Sequence, residues 1–420
     1  MAGIIKKETI YQILFFISVG LPYLNNYELN FALWSLMALL TIRKKYSLTI
    51  LHYVGYFVGI FAIAMVSSLF YHVKFYEYAR DIAYMLKPII GLVLGYQLCR
   101  EHLERPMNIL VNSGILLAIA HTGILVFSVV FLHIRNLEDL RLYGGFFSDF
   151  EVYALIFLLF HDKFGVQVSK TKYWFGVLLL FFSIGMYFAR TNFIQLVFLF
   201  MAMKGYFVLN ARSLRVIVTS VVIISLGYTA IYIYNPARKG STFESFLYKV
   251  KNTPIEPFKA KVDINNWKDF NDNYRSYETI LTIRQTKDKG ALAWIIGQGM
   301  GSSVDLKQKV WLQSTYMRYI PFLHNGFMTV LLKAGILGDI LLILSIVFLF
   351  RKVKTDDADV TAINNLLVGT GVFLIISYYV FMGLYFVPDP KSVLIGFLLR
   401  HRELLWLKSQ NKLPKTKTNP

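Results

Sequence analysis

The stretch that decides the fold reads His324-Asn325-Gly326-Phe327-Met328-Thr329-Val330-Leu331-Leu332-Lys333-Ala334-Gly335-Ile336-Leu337-Gly338. A long polar segment ends here and a long apolar one begins, so a titratable imidazole stands at the head of a membrane helix. Asn325 suits the N-cap, because its side-chain oxygen can accept from the first backbone N–H groups that lack a partner within the helix. Gly335 and Gly338 place two positions without side chains on one helical face, open to another helix or to a ligand.

The rest of the chain agrees with a membrane setting. Of its 420 residues, 56% are hydrophobic and 16% charged, with a mean hydropathy of +0.50, whereas soluble domains carry about 25% charged residues. The apolar residues gather in runs of roughly 18 to 25, the length that crosses a bilayer. The expected fold class is an all-α polytopic membrane protein with about twelve transmembrane helices and one large, partly helical extracytoplasmic loop. Residues 1–234 hold spans at 9–24, 29–42, 48–71, 82–99, 107–133, 151–161, 173–189, 193–209 and 214–234. The loop occupies 235–322, further spans at 324–350, 361–384 and 391–406 follow, and a basic tail closes the chain at 407–420. The run at 151–161 is too short to cross without tilt or bilayer thinning.

The formal charge of +19 has its own pattern. Lys and Arg punctuate the spans instead of clustering on a soluble domain, which argues for anionic lipid and a positive-inside topology and against nucleic acid. Every expected inner loop carries at least two of them, so both termini are expected in the cytoplasm. Lys6 and Lys7 precede a first apolar run that lacks a small-residue cleavage site, so no cleaved signal peptide is expected. The single Cys99 excludes an intrachain disulfide and a Cys-based metal cluster. No internal repeat is evident.

The loop is too long for an idle connector. Pro236, Pro254 and Pro257 break its early part. From Asn273 to Ala293, apolar residues recur at helical spacing, which predicts one amphipathic helix with Arg275 and Glu278 one turn apart and able to pair. Gly297, Gly299 and Gly301 follow. No strand–helix unit frames them, so a packed backbone turn fits better than a dinucleotide-binding loop.

Several polar residues have two uses each. Arg190, at the outer end of the seventh span, can snorkel to headgroups or bind an anion. Lys87 and Lys333 lie inside spans, where burial is expensive and either a buried acid or a substrate must justify it. His121, in mid-span, reads as a hydrogen-bonded core histidine. The adjacent carboxylate pair Asp356-Asp357 is expected on the inner side, and Asp269 and Asp272 lie in a solvated run, so no metal site is expected.

His-Asn, nine residues, Gly, two residues and Gly resembles the motif of the O-antigen ligase and O-antigen polymerase family. Upstream, and in the family's order, stand Arg141-Leu142-Tyr143-Gly144-Gly145-Phe146-Phe147, Arg190 after a span, Arg275 opening the loop helix, and the glycine turn. Two positions depart from the family: Ala189 stands where Ser usually precedes the Arg, and Asp149-Phe150-Glu151 replaces a frequent Pro-Asn. The resemblance covers about residues 140–345, and hydropathy alone matches the first four spans.

The resemblance implies a metal-independent glycosyltransferase without cofactors, in the inner membrane of a bacterium. Its donor is a glycan on undecaprenyl diphosphate, and its acceptor is a hydroxyl of lipid A-core for a ligase or of another lipid-linked repeat for a polymerase. Arg190 and Arg275 would clamp the diphosphate as charge grows on it, since guanidinium holds phosphate oxygens bidentately. His324 would take the acceptor's proton as general base. Asn325, Arg141, Lys87, Arg284, Arg318, Gly299 and Gly301 are the further candidates for substrate contacts. Inversion by single displacement is expected, because no carboxylate is obviously placed as a nucleophile. A transporter or flippase of the same lipid-linked sugar is the competing class, though the paired repeats and broken midplane helices usual there are not seen.

Overall fold

The computed structural model describes residues 7–410 apart from 146–147, 209, 239, 255, 257–258 and 313–314. Lys6, Phe146, Phe147, Pro257 and the tail beyond residue 410 lie outside the described residues. The protein is mostly helical, at 73%. The first half holds α1 (Lys7–Gly20), α2 (Tyr27–Leu40), α3 (Leu48–Ser67), α4 (Phe75–Leu98), α5 (Pro106–Val130), α6 (Leu137–Gly144), α7 (Asp149–Leu159), α8 (Lys170–Met186), α9 (Arg190–Met203) and α10 (Ala211–Tyr234). The polar segment follows with α11 (Thr242–Asn252), α12 (Trp267–Asp272), α13 (Tyr274–Asp288), α14 (Ala291–Ile296), β1 (Val304–Leu312) and β2 (Thr315–Ile320). The chain returns to the bundle with α15 (Gly326–Phe348), α16 (Ala358–Val380) and α17 (Lys391–Ser409).

Each of the twelve expected spans falls on a helix. Among the described residues, five stretches are long and apolar enough to cross a membrane: Leu48–Phe70, Pro106–Val130, Ala211–Tyr234, Gly326–Phe348 and Ala358–Val380. This is the pattern of a multi-pass membrane protein. Pairing of α4 with α17, of α3 with α15 and of α9 with α16 builds the core. The short α7 is buried from Asp149 to Leu158. A helix enclosed by protein on every side need not match the bilayer's thickness, which resolves the short sixth run. α10 is the opposite case, since no residue of its most apolar window is buried in protein.

Three local expectations are corrected. Residues 75–81, which fall between the expected spans at 48–71 and 82–99, are helical: α4 starts at Phe75 and carries Asp81 into the bundle. The single helix expected over 273–293 is two, α13 and α14, parted at Gly290, whose φ of 91 no helix accommodates. The structure also adds an antiparallel hairpin to the expected all-α fold, with Val304 opposite Ile320 and Trp311 opposite Tyr316. Its inward Val304, Leu306 and Ile320 pack with Tyr277 and Leu281 of α13.

The glycine-bearing stretch quoted above is not a straight helix. α15 breaks at Gly335, where φ is 65. A Cβ there would lie 2.4 Å from the carbonyl oxygen of Ile295, so only glycine lets the C-terminal end of α14 press against α15. The N–H groups of Gln298 and Gly299 take up the carbonyls of Leu332 and Lys333 just before the kink, at 2.7 and 3.1 Å. The glycine turn thus seals a broken helix.

Candidate active site

Asn325 caps α15 as expected, its side chain accepting from the N–H of Met328 at 3.1 Å. The Thr329 hydroxyl accepts from the N–H of Leu323 at 3.0 Å and donates back toward the carbonyl of Asn325. These bonds fix the entry of α15 and hold His324 at its mouth. The His324 backbone N–H donates to Glu278 Oε2 at 3.0 Å, and ring Nδ1 lies 3.0 Å from Glu278 Oε1. A carboxylate only accepts, so Nδ1 carries the proton and Nε2 is left with its lone pair. Among the described residues Nε2 has no hydrogen-bond partner. The Glu278 side chain is 1% exposed and that of His324 44% exposed. The Glu278 carboxylate raises the His324 pKa above the ordinary imidazole value. An oriented imidazole backed by a buried acid is the arrangement that general bases use.

Arg275 stands one turn before Glu278 on α13 but does not pair with it, which corrects the expectation. Its Nη1 donates to Glu256 Oε1 at 3.0 Å, and the guanidinium lies 5.4 Å from the centre of the Phe381 ring. Arg190 opens α9 just after a tight turn in which Phe188 adopts a φ of 47, a strained conformation for a bulky residue. Its Nη1 donates to the carbonyl of Lys249 at 2.7 Å and to the Thr253 hydroxyl, and its Nη2 lies 3.9 Å from Glu256 Oε2. Glu256 therefore stands between the two arginines. Nothing in the sequence marks it, because it is 19 residues from Arg275, in a stretch with no periodicity.

One cleft collects these groups. Arg141, Arg190, Glu256, Arg275, His324 and Asn325 line it, together with Phe188, Phe246, Tyr379, Phe381 and Phe386. It encloses about 1590 Å³, counting the space open to solvent. Charged groups and aromatic rings share its walls, a lining that suits an amphiphile with a charged head. Among the described residues no three His, Cys, Asp or Glu side chains converge as a metal cage would. Three guanidiniums, an imidazole and a carboxylate can bind an anion and move a proton.

The remaining candidates lie elsewhere. Lys87 is buried in α4, where it donates to the carbonyls of Asp389 at 2.7 Å and Leu384 at 3.2 Å. Arg284 is on an exposed face of α13. Arg318 lies on β2 and grips Asp305 with bonds of 2.7 and 2.9 Å, holding that carboxyl well below the usual range. Gly299 and Gly301 belong to the packed turn, where Gly301 N–H donates to Asp81 Oδ2 at 2.6 Å. Asp269 and Asp272 are paired with Lys259 and Arg238. His121 bonds Ser183 at 2.7 Å in the core, as expected. No protein-family model matches the chain, and no curated protein matches its sequence.

Proposed function

We propose that the protein is a membrane-embedded glycosyltransferase of the O-antigen ligase kind, moving a glycan from undecaprenyl diphosphate to an acceptor hydroxyl at the outer face of a bacterial inner membrane. The observation that carries this reading is that Arg190, Arg275 and His324 share one cleft although 134 positions separate the first from the last, counting from 190 to 324. In the reaction, the acceptor oxygen attacks the anomeric carbon while His324 Nε2 takes its proton. The bond from that carbon to the diphosphate oxygen breaks, and its electron pair leaves with the diphosphate. Arg190 and Arg275 neutralise the charge that grows there. The Glu278 carboxylate, 3.0 Å from Nδ1, stabilises the imidazolium. The displacement is single and inverts the anomeric carbon, and no metal takes part.

In this reading all twelve helical runs cross the membrane and both termini are cytoplasmic. The cleft opens at the C-terminal end of α16. At the other end of α16 a second hollow is lined by Arg100, Arg105, Lys163 and Lys408, with Glu101, Glu104 and Asp359 between them. Lysine and arginine at that end accord with a cytoplasmic face. A polymerase would use the same chemistry with a lipid-linked repeat as acceptor.

The test uses purified protein and undecaprenyl-diphosphate-linked glycan, with lipid A-core and further lipid-linked repeat offered separately. Glycan on lipid A-core is the expected product. A ladder formed from the repeat alone makes the protein a polymerase. With neither product, and with lipid-linked sugar crossing vesicles that contain the protein, the transporter reading replaces both.

A further inference from the structure

We infer that Glu256 occupies the seat of the donor's diphosphate and so decides which anions the cleft admits. The inference rests on the glycan-transfer reading. Its ground is the way one carboxylate is shared. Glu256 Oε1 faces Arg275 Nη1 at 3.0 Å, and Oε2 faces Arg190 Nη2 at 3.9 Å. Two oxygens of one anion thus address two guanidiniums on different helices, which is how a bridging phosphate group would be held. Glu256 and a diphosphate would compete for the space between the same two guanidiniums, and two anions there would repel.

Both arginines keep other supports when the carboxylate is displaced. Arg190 retains the carbonyl of Lys249 and the Thr253 hydroxyl. Arg275 retains the Phe381 ring. The clamp is therefore built to exchange one anion for another without collapsing. A carboxylate brings a single charge. A diphosphate diester brings two charges and can offer each arginine its own phosphoryl group, so it displaces Glu256. A single phosphate has comparable charge to the diester but only one phosphoryl group, so it cannot give each arginine its own and competes less well. Glu256 is in this sense a specificity-determining residue for diphosphate.

The experiment measures binding of inorganic pyrophosphate and of inorganic phosphate by calorimetry, on the full chain in detergent. Glu256→Gln keeps the side chain's size and removes the competing charge. It is expected to bind pyrophosphate about tenfold tighter than the unaltered protein, a modest change for a single charge, and to gain less for phosphate. Arg275→Ala is expected to lose pyrophosphate in either background. Glu256→Asp, with a shorter reach, should fall between Gln and Glu, and it carries the test if the Gln variant fails to fold. Unchanged or weaker pyrophosphate binding in Glu256→Gln, with the Arg275→Ala loss intact, overturns the inference, makes Glu256 a strut for the arginines and leaves the diphosphate clamp standing. Pyrophosphate binding that is absent throughout, or indifferent to Arg275, overturns the clamp and the inference together.

Discussion

One helix carries two cation–carboxylate pairs of opposite character. His324, at the mouth of α15, faces Glu278, and Lys333, roughly 13 Å deeper along the axis, faces Asp81 at 2.5 Å. Both Lys333 and Asp81 side chains are 0% exposed. The Lys333 ammonium also donates to the carbonyl of Ser302 and lies 5.1 Å from the centre of the Phe322 ring. Asp81 accepts further from Arg80 and from the Gly301 N–H. Every capacity of that pair is used within the protein. The His324 pair has a buried acid but keeps one ring nitrogen facing a cleft. An ionisable group in a membrane helix therefore reads as structural when its partners saturate it, and as chemical when its partners orient it and leave one atom over.

Breaking each pair should sharpen that distinction. Lys333→Met takes the ammonium from the buried Asp81 carboxylate and leaves it Arg80 and the Gly301 N–H, and should cost about 3–5 kcal/mol of stability. The fraction of protein that elutes folded from detergent extracts will show it, and the double variant with Asp81→Leu should recover most of the loss. His324→Ala should slow transfer by about 10²–10⁴-fold and cost less stability than Lys333→Met, because Glu278 keeps the backbone N–H of residue 324 and the His324 side chain is 44% exposed, so water can take its place. If His324→Ala unfolds the protein while Lys333→Met merely slows it, the two pairs have been read the wrong way round. Arg275→Lys keeps the charge and loses the fork, so transfer should fall by about tenfold or more; full activity would mean that charge alone matters there. Arg318→Ala, on the hairpin and away from the cleft, should leave transfer within about twofold.

Much of this was legible in the sequence because membrane helices write themselves in hydropathy. All twelve apolar runs lie on helices, and the Asn325 cap was readable from its place before an apolar run. Arg190, Arg275 and His324 were singled out by a resemblance in order and spacing, which the fold then gathers into one cleft. Long-range pairing was not legible. The one-turn spacing suggested Arg275 with Glu278, but α13 turns Glu278 inward under His324, and Arg275 toward Glu256 instead. Asp81 lay within what hydropathy reads as a polar loop, so the partner of Lys333 was invisible. The hairpin did leave a signal, since Val304 and Leu306 alternate with Asp305 and Lys307, a period of two that the glycine turn before it overshadowed. The break at Gly335 shows the same limit. Its spacing marked it as a small-residue position, but only the approach of Ile295 explains why glycine is needed.

The pH dependence of transfer, in the unaltered protein and in Glu278→Gln, tests the central claim most directly. Only neutral His324 can accept a proton, so activity should be lost on the acid side. Glu278 favours the protonated ring, so the midpoint of that acid limb should lie above about 6.5, the value of a free imidazole. Removing the Glu278 charge should move the midpoint to lower pH and reduce the plateau rate, because the base is then weaker and less firmly oriented. An acid limb that stays in place when Glu278 loses its charge would contradict the account, since the group that titrates would then not be the histidine that Glu278 holds.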